Sequence, residues 1–265
     1  VLIHPLSRPF AAKTGNQQPS LSGQSLCVRA GIMQAGSFIV GYEWDFSVVF
    51  RDFDLLLLGL VNTLKVTGLA LLFGIPLGLL LALLRLYGNA VLRIPASFLI
   101  EFLRTTPPIA QLFWFFFAMP ILLGVEIDPF EASVLTFSLQ SSAFFAEVFR
   151  GGILSIDNGQ WEAAKAIGMN RNDTLRRVIL PQAVKRMIPA FLERAIELMK
   201  TTTLVSTISY ADLLYQANTI AQSTYRSLEV FTVAAAMYFV VIFICSLAVQ
   251  RLEHHLGRTG ELTKG

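Results

Sequence analysis

Charge, cysteine and histidine are all scarce in this chain. Of its 265 residues only 15% are charged while 54% are hydrophobic, and there are 2 cysteines and 3 histidines. So little charge, together with 21 phenylalanines and a mean hydropathy of +0.59, excludes an ordinary soluble globular composition and reads as a polytopic membrane protein. Cys27 stands in a polar stretch and Cys245 in an apolar run, which gives neither a disulfide framework nor a metal-ligand cluster. His4, His254 and His255 all lie in the tails, so the commonest catalytic base and metal ligand is missing from the body of the chain. No Gly-x-x-x-x-Gly-Lys-Ser/Thr phosphate loop occurs, and with it goes the usual cradle for ATP. Paired carboxylates and serine–histidine arrangements are absent too, and nothing reads as an enzyme active site. The net charge of +3 and pI near 9.0 are the excess that positively charged inner loops give, rather than the footprint of nucleic-acid binding.

What is present is a series of apolar stretches. Residues 1–41 are rich in Ser, Gln, Gly and Pro, lack the apolar run of a signal peptide and are expected to be disordered, with the true start at Met33. Residues 42–252 are read as one transmembrane domain and 253–265 as a cytoplasmic tail. The first span runs from Leu55 to Leu84, more than the roughly 20 residues a bilayer needs. Gly68, Gly74 and Gly78 offer close helix contact along it. Arg85 and Arg93 follow at once, which puts that end in the cytoplasm and the beginning of the chain outside. A second span, from Ala96 to about Leu123, is broken at Arg104-Thr105-Thr106-Pro107-Pro108. Either the break lines a cavity, or it marks the start of a helix whose real span is 109–125. After the acidic Glu126, Asp128 and Glu131, a third span covers Phe130 to Phe149. Ser138, Gln140, Ser141, Ser142 and Glu147 are costly against lipid, so this helix is expected to face other helices or a watery path. Val230 to Val249 is a clean apolar span, and Arg251, Arg258 and Lys264 place the C-terminus inside.

Between the third span and the end lies a polar island. Asp157 or Asn158 caps a short helix through Ala163, Ala164 and Ala166 that Gly168 ends in the left-handed conformation. Asn172 or Asp173 caps a second helix, which Pro181 closes one residue after Leu180. Trp161, Ala164 and Ile167 fall one turn apart on a face shaped like a plug, with Glu162 in the first turn. Lys165, Arg171, Arg176, Arg177, Lys185 and Arg186 hold this loop, residues 155–186, on the inner side.

The sequence Glu162-Ala163-Ala164, three residues, Gly168, nine residues, then Val178-Ile179-Leu180-Pro181 resembles the cytoplasmic signature of ABC importer permeases, with Val178 where that family usually has Ile. The flanks resemble its polar amino-acid branch (type I, histidine/glutamine permease-like): Ala146-Glu147-Val148-Phe149-Arg150-Gly151-Gly152-Ile153, then Leu180-Pro181-Gln182-Ala183, then Lys200-Thr201-Thr202-Thr203-Leu204-Val205-Ser206. The likeness covers residue 42 to the end. It departs at Thr105, where the family's wording is Arg-Gly-Thr-Pro or Arg-Asn-Thr-Pro. The resemblance implies an all-α membrane protein with the five-helix core of a type I ABC importer transmembrane domain. Its fourth span, Met187 to about Leu214, is taken from the resemblance, because Glu193, Arg194, Glu197 and Lys200 interrupt it. Arg194, Glu197 and Lys200 are spaced to pair along one helix.

The resemblance also implies a role: the membrane-spanning permease of an importer that moves a polar amino acid into the bacterial cytoplasm, in the plasma (inner) membrane. Its implied partners are two copies of an ATP-binding subunit holding ATP and Mg, a second permease subunit, same or related, and a periplasmic or extracellular solute-binding protein. Trp161, Glu162, Ala163, Ala164, Gly168, Leu180 and Pro181 are the implied ATPase-coupling surface. The candidate solute path comprises Arg104, Thr106, Ser138, Gln140, Ser141, Ser142, Glu147, Glu197, Lys200 and Thr202. Glu147 is suited to an amino group, and Lys200 or free backbone donors at the break to a carboxylate. Alternatively Glu147 and Lys200 pair structurally near the cytoplasmic ends, leaving Ser141, Ser142 and Thr202. An ion-coupled amino-acid carrier or channel, relaying through Glu147, Glu197 and Lys200, is the competing class; it needs neither a docking helix nor ATP. A lipid-modifying membrane enzyme is a third class and lacks any clustered acid, base or nucleophile.

Overall fold

The computed structural model describes residues 42–261, with side chains placed as far as Arg251. The expectation of disorder in residues 1–41 lies outside the described residues. The chain divides into residues 1–45 and residues 46–265, and every helix below belongs to the second unit. Among the described residues there is no strand.

After a short helix α1, Ser47–Arg51, the leucine-rich α2 runs from Phe53 to Tyr87. Its polar residues are satisfied within the helix or just beside it. Thr63 and Thr67 donate to the carbonyls of Gly59 and Thr63 at 3.1 and 2.8 Å, and Asn62 donates to Ala211 at 2.9 Å. Glycine lets neighbours come close at three places. A methyl at Gly59 would stand 2.8 Å from the Asp212 carbonyl oxygen, one at Gly78 would stand 2.7 Å from that of Ser142, and one at Gly74 would collide with Ser141. Gly68, expected to do the same, meets nothing within 4 Å. It turns away from the helices that the other glycines receive.

The expected second span is not one straight crossing. α3, Ala90–Thr105, and α4, Pro108–Leu123, meet at 108°. Thr106 is extended at φ −77°, ψ 137°, the conformation favoured before a proline, and Pro107 follows at φ −58°, ψ 134°. The break therefore starts a new helix, with Pro108 in its first turn where a missing N–H costs little. α4 carries a π-turn over Trp114–Ala118. α3 is two-sided: Ala96, Ile100 and Leu103 are buried while Val91, Ile94 and Phe98 are exposed.

α5, Pro129–Leu154, opens with a reciprocal capping box between Asp128 and Glu131. It lies against α2, α3 and α8, and Ser138, Gln140, Ser141 and Ser142 are all buried, as their polarity requires. α6, Asn158–Ala166, and α7, Arg171–Thr174, form the elbow. The second elbow helix does not stop at Pro181. It passes through a π-turn at Leu175–Ile179 into α8, Leu180–Thr201, with Pro181 in the first turn of α8. The wide turn just before Pro181 absorbs the donor that proline lacks, so the residue continues a helix rather than closing one.

α8 is the expected fourth span, but it ends before Leu214. A 3-10 stretch, Thr202–Ile208, and a left-handed Ser209 intervene before α9, Leu213–Thr224, which Asp212 caps by accepting from the Tyr215 N–H at 2.8 Å. α10 runs from Ser227 to Glu261. Among the described residues α2, α5 and α10 are each long and apolar enough to cross a membrane, and the bent α3–α4 pair counts as a fourth. The charged α8 is not among these by length and composition, and is the fifth helix packed with them.

Candidate functional site

The elbow is built by local chemistry. The Asp157 carboxylate accepts from the Gly159 N–H at 2.6 Å, which settles which of the two candidate caps starts α6. At the other end Gly168 has φ +81°, and the N–H groups of Gly168 and Met169 reach the carbonyls of Lys165 and Ala164, each at 3.0 Å. That pair of bonds is a Schellman closure, and it needs the left-handed residue the sequence supplies. Asn170, not Asn172 or Asp173, caps α7, accepting from the Asp173 N–H at 2.8 Å. Gln182 donates to Gln160 at 3.3 Å, tying the start of α8 to α6.

The plug face reads differently in three dimensions. Trp161 packs on the cluster of Ile153, Ile156, Ile179, Ala183 and Met187, and Ala164 is buried. Ile167 instead points out and is 77% exposed, because α6 ends at Ala166 and the helical spacing no longer holds. The outward surface is made by Glu162, Ala163, Lys165, Ala166, Ile167 and Gly168, with Leu180 and Pro181 exposed at the start of α8.

Deeper in the protein, the polar residues fall into separate places. A cavity of about 80 Å³ lies between Pro108, α5 and α8, where Gln140, Ser141, Phe144, Arg194, Glu197 and Thr201 meet. Arg194 sits 4.6 Å over the Phe144 ring and is paired with Glu197. The cavity thus holds one group of each sign, an aromatic face and an amide. Of the residues predicted from sequence it gathers Gln140, Ser141 and Glu197. Arg194 and Phe144 were not among them; the signal was the i, i+3 spacing of Arg194 and Glu197 on a helix too charged to face lipid.

Glu147 is elsewhere. Its carboxylate is paired with Arg85 of α2, accepts from Arg150 at 2.8 Å and lies 3.9 Å from Arg104 of α3, while Glu101 stands 3.5 Å from Arg85 and 3.7 Å from Arg104. Three arginines around two carboxylates fasten α2, α3 and α5 together, and Arg104 also lies 5.7 Å over the Phe144 ring of the cavity. Lys200 is exposed and makes no ion pair among the described residues, so the expected three-residue ladder stops at Arg194–Glu197. Thr202 is buried against α2, its hydroxyl 3.2 Å from that of Thr67. Ser142 donates to the Leu139 carbonyl at 2.6 Å, and Thr106 caps the end of α3 on Phe102. The buried Ser138 hydroxyl has no partner among the described residues.

Residues 74–258 match the family described as binding-protein-dependent transport system inner membrane component. The glutamine transport system permease protein GlnP of Escherichia coli strain K12 is 35% identical over 215 residues, which is 81% of this chain and 98% of the relative. A putative glutamine transport system permease of Rickettsia bellii is 35% identical over 75% of this chain and 91% of its own length. Among solved structures, a chain of an amino acid ABC transporter crystallised with histidines superposes with a TM-score of 0.78 at 36% identity, covering 81% of this chain and all (100%) of that one. The methionine ABC transporter MetNI, inward facing, shares the fold at a TM-score of 0.65 and 22% identity.

Proposed function

The chain belongs to the binding-protein-dependent transport system inner membrane components, and from that premise we propose that it is the permease subunit of an ABC importer carrying a polar amino acid into the cytoplasm. The observation that carries this reading is the likeness to a glutamine permease over 98% of that relative's length. The fold supports it in detail. The elbow offers an ATPase a short alanine-rich face ended by glycine, and ATP with Mg is held by that partner. Two ATP-binding subunits, a second permease chain and a solute-binding protein complete the machine. Arg85, Arg93 and the basic elbow lie in the cytoplasm with the C-terminus, and the beginning of the chain lies outside.

In this reading the solute passes the cavity between α5 and α8. A zwitterion needs a partner for each charge at membrane depth. Arg194 suits its carboxylate and Glu197 its ammonium. The two are paired with each other, and about 80 Å³ is well under the roughly 300 Å³ of a usual small-molecule pocket. Admission of solute therefore requires the pair to part and the cavity to widen.

The test is uptake of labelled glutamine by proteoliposomes holding the complete transporter and its binding protein. Uptake proceeds with ATP and survives collapse of the proton gradient; uptake that needs a gradient but no ATP overturns the proposal in favour of a carrier. The Gly168→Val variant forces a β-branched residue into φ +81° and re-aims the elbow. Its expected outcome is that ATP hydrolysis no longer rises with loaded binding protein. Normal stimulation in that variant would remove the elbow from the mechanism.

A further inference from the structure

Trp161 turns away from the exposed elbow surface, and what it faces is a cleft of about 280 Å³ between the ends of α2 and α5 and the elbow. Leu86, Tyr87 and Leu154 line it from the membrane helices, and Trp161 and Arg171 from the elbow. The Arg171 guanidinium lies 6.0 Å from the centre of the Tyr87 ring and makes no ion pair with a described residue. The Trp161 indole N–H has no hydrogen-bond partner among the described residues. No carboxylate lines the cleft, and the nearest in sequence to Asn158 on its wall, Asp157, is engaged with the Gly159 N–H at 2.6 Å. A guanidinium, an indole N–H and a phenol with no competing acid make a site for an anion.

Helix length sets the depth. The 35 residues of α2 span about 52 Å and the 26 of α5 about 39 Å, against a hydrocarbon core of about 30 Å and about 40–45 Å with headgroups. The ends of both helices therefore emerge in the headgroup layer. Leu154 is 61% exposed there and forms an apolar lip beside the polar lining. Tyrosine, tryptophan and arginine with an adjoining apolar edge match a lipid whose phosphate enters the cleft while its chains stay in the bilayer.

We propose that this cleft binds the phosphate of an anionic phospholipid and so ties the elbow to the membrane surface. The inference rests on the membrane reading but not on which solute is carried or how transport is driven. Trp161 then acts on the lipid side of the elbow rather than on the ATPase side.

The experiment is native mass spectrometry of the complete transporter after exchange into phosphatidylglycerol and phosphatidylcholine mixtures. Expected is retention of phosphatidylglycerol in preference to phosphatidylcholine. Retention should fall about fivefold in Arg171→Gln, the worth of one cation at a membrane surface. Arg176→Gln, which removes another exposed charge from the same loop, should leave retention unchanged. The milder Trp161→Phe keeps an aromatic ring in place but loses the indole N–H and part of the ring system, and should lower retention by less. Equal loss in the Arg171 and Arg176 variants would show a diffuse charge effect and overturn the proposal, as would a wild type that retains neither lipid selectively. Soluble glycerol phosphate displacing the lipid would assign the cleft to a free phosphate instead, and would overturn the lipid assignment. Loss of glutamine uptake with lipid retention intact would count against the transport reading alone.

Discussion

α5 and α10 are both long enough to cross a bilayer, yet they solve opposite problems. α10 is the most apolar span among the described residues and only 11% of its apolar window is buried; α5 is the least apolar and is 61% buried. In water the order would be reversed. Here the outer solvent is hydrocarbon, so the greasiest helix can stand outside, with Phe239, Val240, Phe243 and Ile244 exposed, while serines, a glutamine and a glutamate are drawn inward. Lipid gives no hydrophobic drive for helices to associate. α5 is instead held by close backbone approach, ion pairs and hydrogen bonds, which are contacts that single atoms can spoil.

The sharpest way to break the comparison is at Gly78. A methyl there already stands 2.8 Å from the Phe145 Cβ as well as close to the Ser142 carbonyl, so Gly78→Val is expected to force α2 and α5 apart at a cost of about 3 kcal/mol. The thermal unfolding midpoint of the purified protein measures it, and an unchanged midpoint would mean that the seam is loose.

Glu147→Ala comes next. It leaves Arg85, Arg104 and Arg150 facing each other around Glu101 alone. The Glu147 side chain is 18% exposed, so water relieves part of the charge, and the expected loss is about 2 kcal/mol rather than the 3–5 of a fully buried pair. Glu147 itself does not line the cavity, although Arg104 beside it lies 5.7 Å over the Phe144 ring that does, so the solute range should be unchanged while Arg104 keeps its place. Glu147→Gln should behave as a weaker version of the same change; a shifted solute preference in either variant would return Glu147 to the pathway.

The smallest effect is expected at Ile244→Ala on α10. With 60% of the side chain outside the protein, the change should stay within about 0.5 kcal/mol. A larger drop would show that this face is covered by protein rather than by lipid.

How much of this was legible in the sequence depended on how local the cause was. α2 and α10 follow from uninterrupted apolar runs, and the buried side of α5 follows from Ser138 to Ser142, since those residues have nowhere else to go. Gly168 announced its own conformation. The charged α8 was visible only through resemblance, because Arg194 and Glu197 look prohibitive until their pairing and Phe144 are seen. Other readings failed where a local rule met a tertiary one. Pro181 marks a helix end by propensity, yet the π-turn before it carries the chain onward. Gly68 has the same spacing logic as its neighbours but faces α8 and α10 across an open cavity of about 410 Å³ instead of touching them. Glu147 was open to two readings, solute ligand or structural pair with Lys200, and the partners the structure gives it are arginines from α2 and α3 rather than Lys200. Ile167 kept a helical spacing one residue beyond the helix.

The π-turn at Leu175–Ile179 has a mechanical side. One extra residue in that turn resets the phase of α8 against α7, so the elbow and the cavity wall are aimed independently although one nearly continuous rod carries both. From Leu180 to Arg194 that rod is about 21 Å long. Pro189 inside α8 removes one bond of the ladder partway along that distance, and Gln182 on Gln160 clamps its near end to α6. On the proposed reading, a push on the elbow would reach Arg194 and Glu197 through that proline, in the way a jointed crankshaft turns a stroke at one end into a rotation at the other.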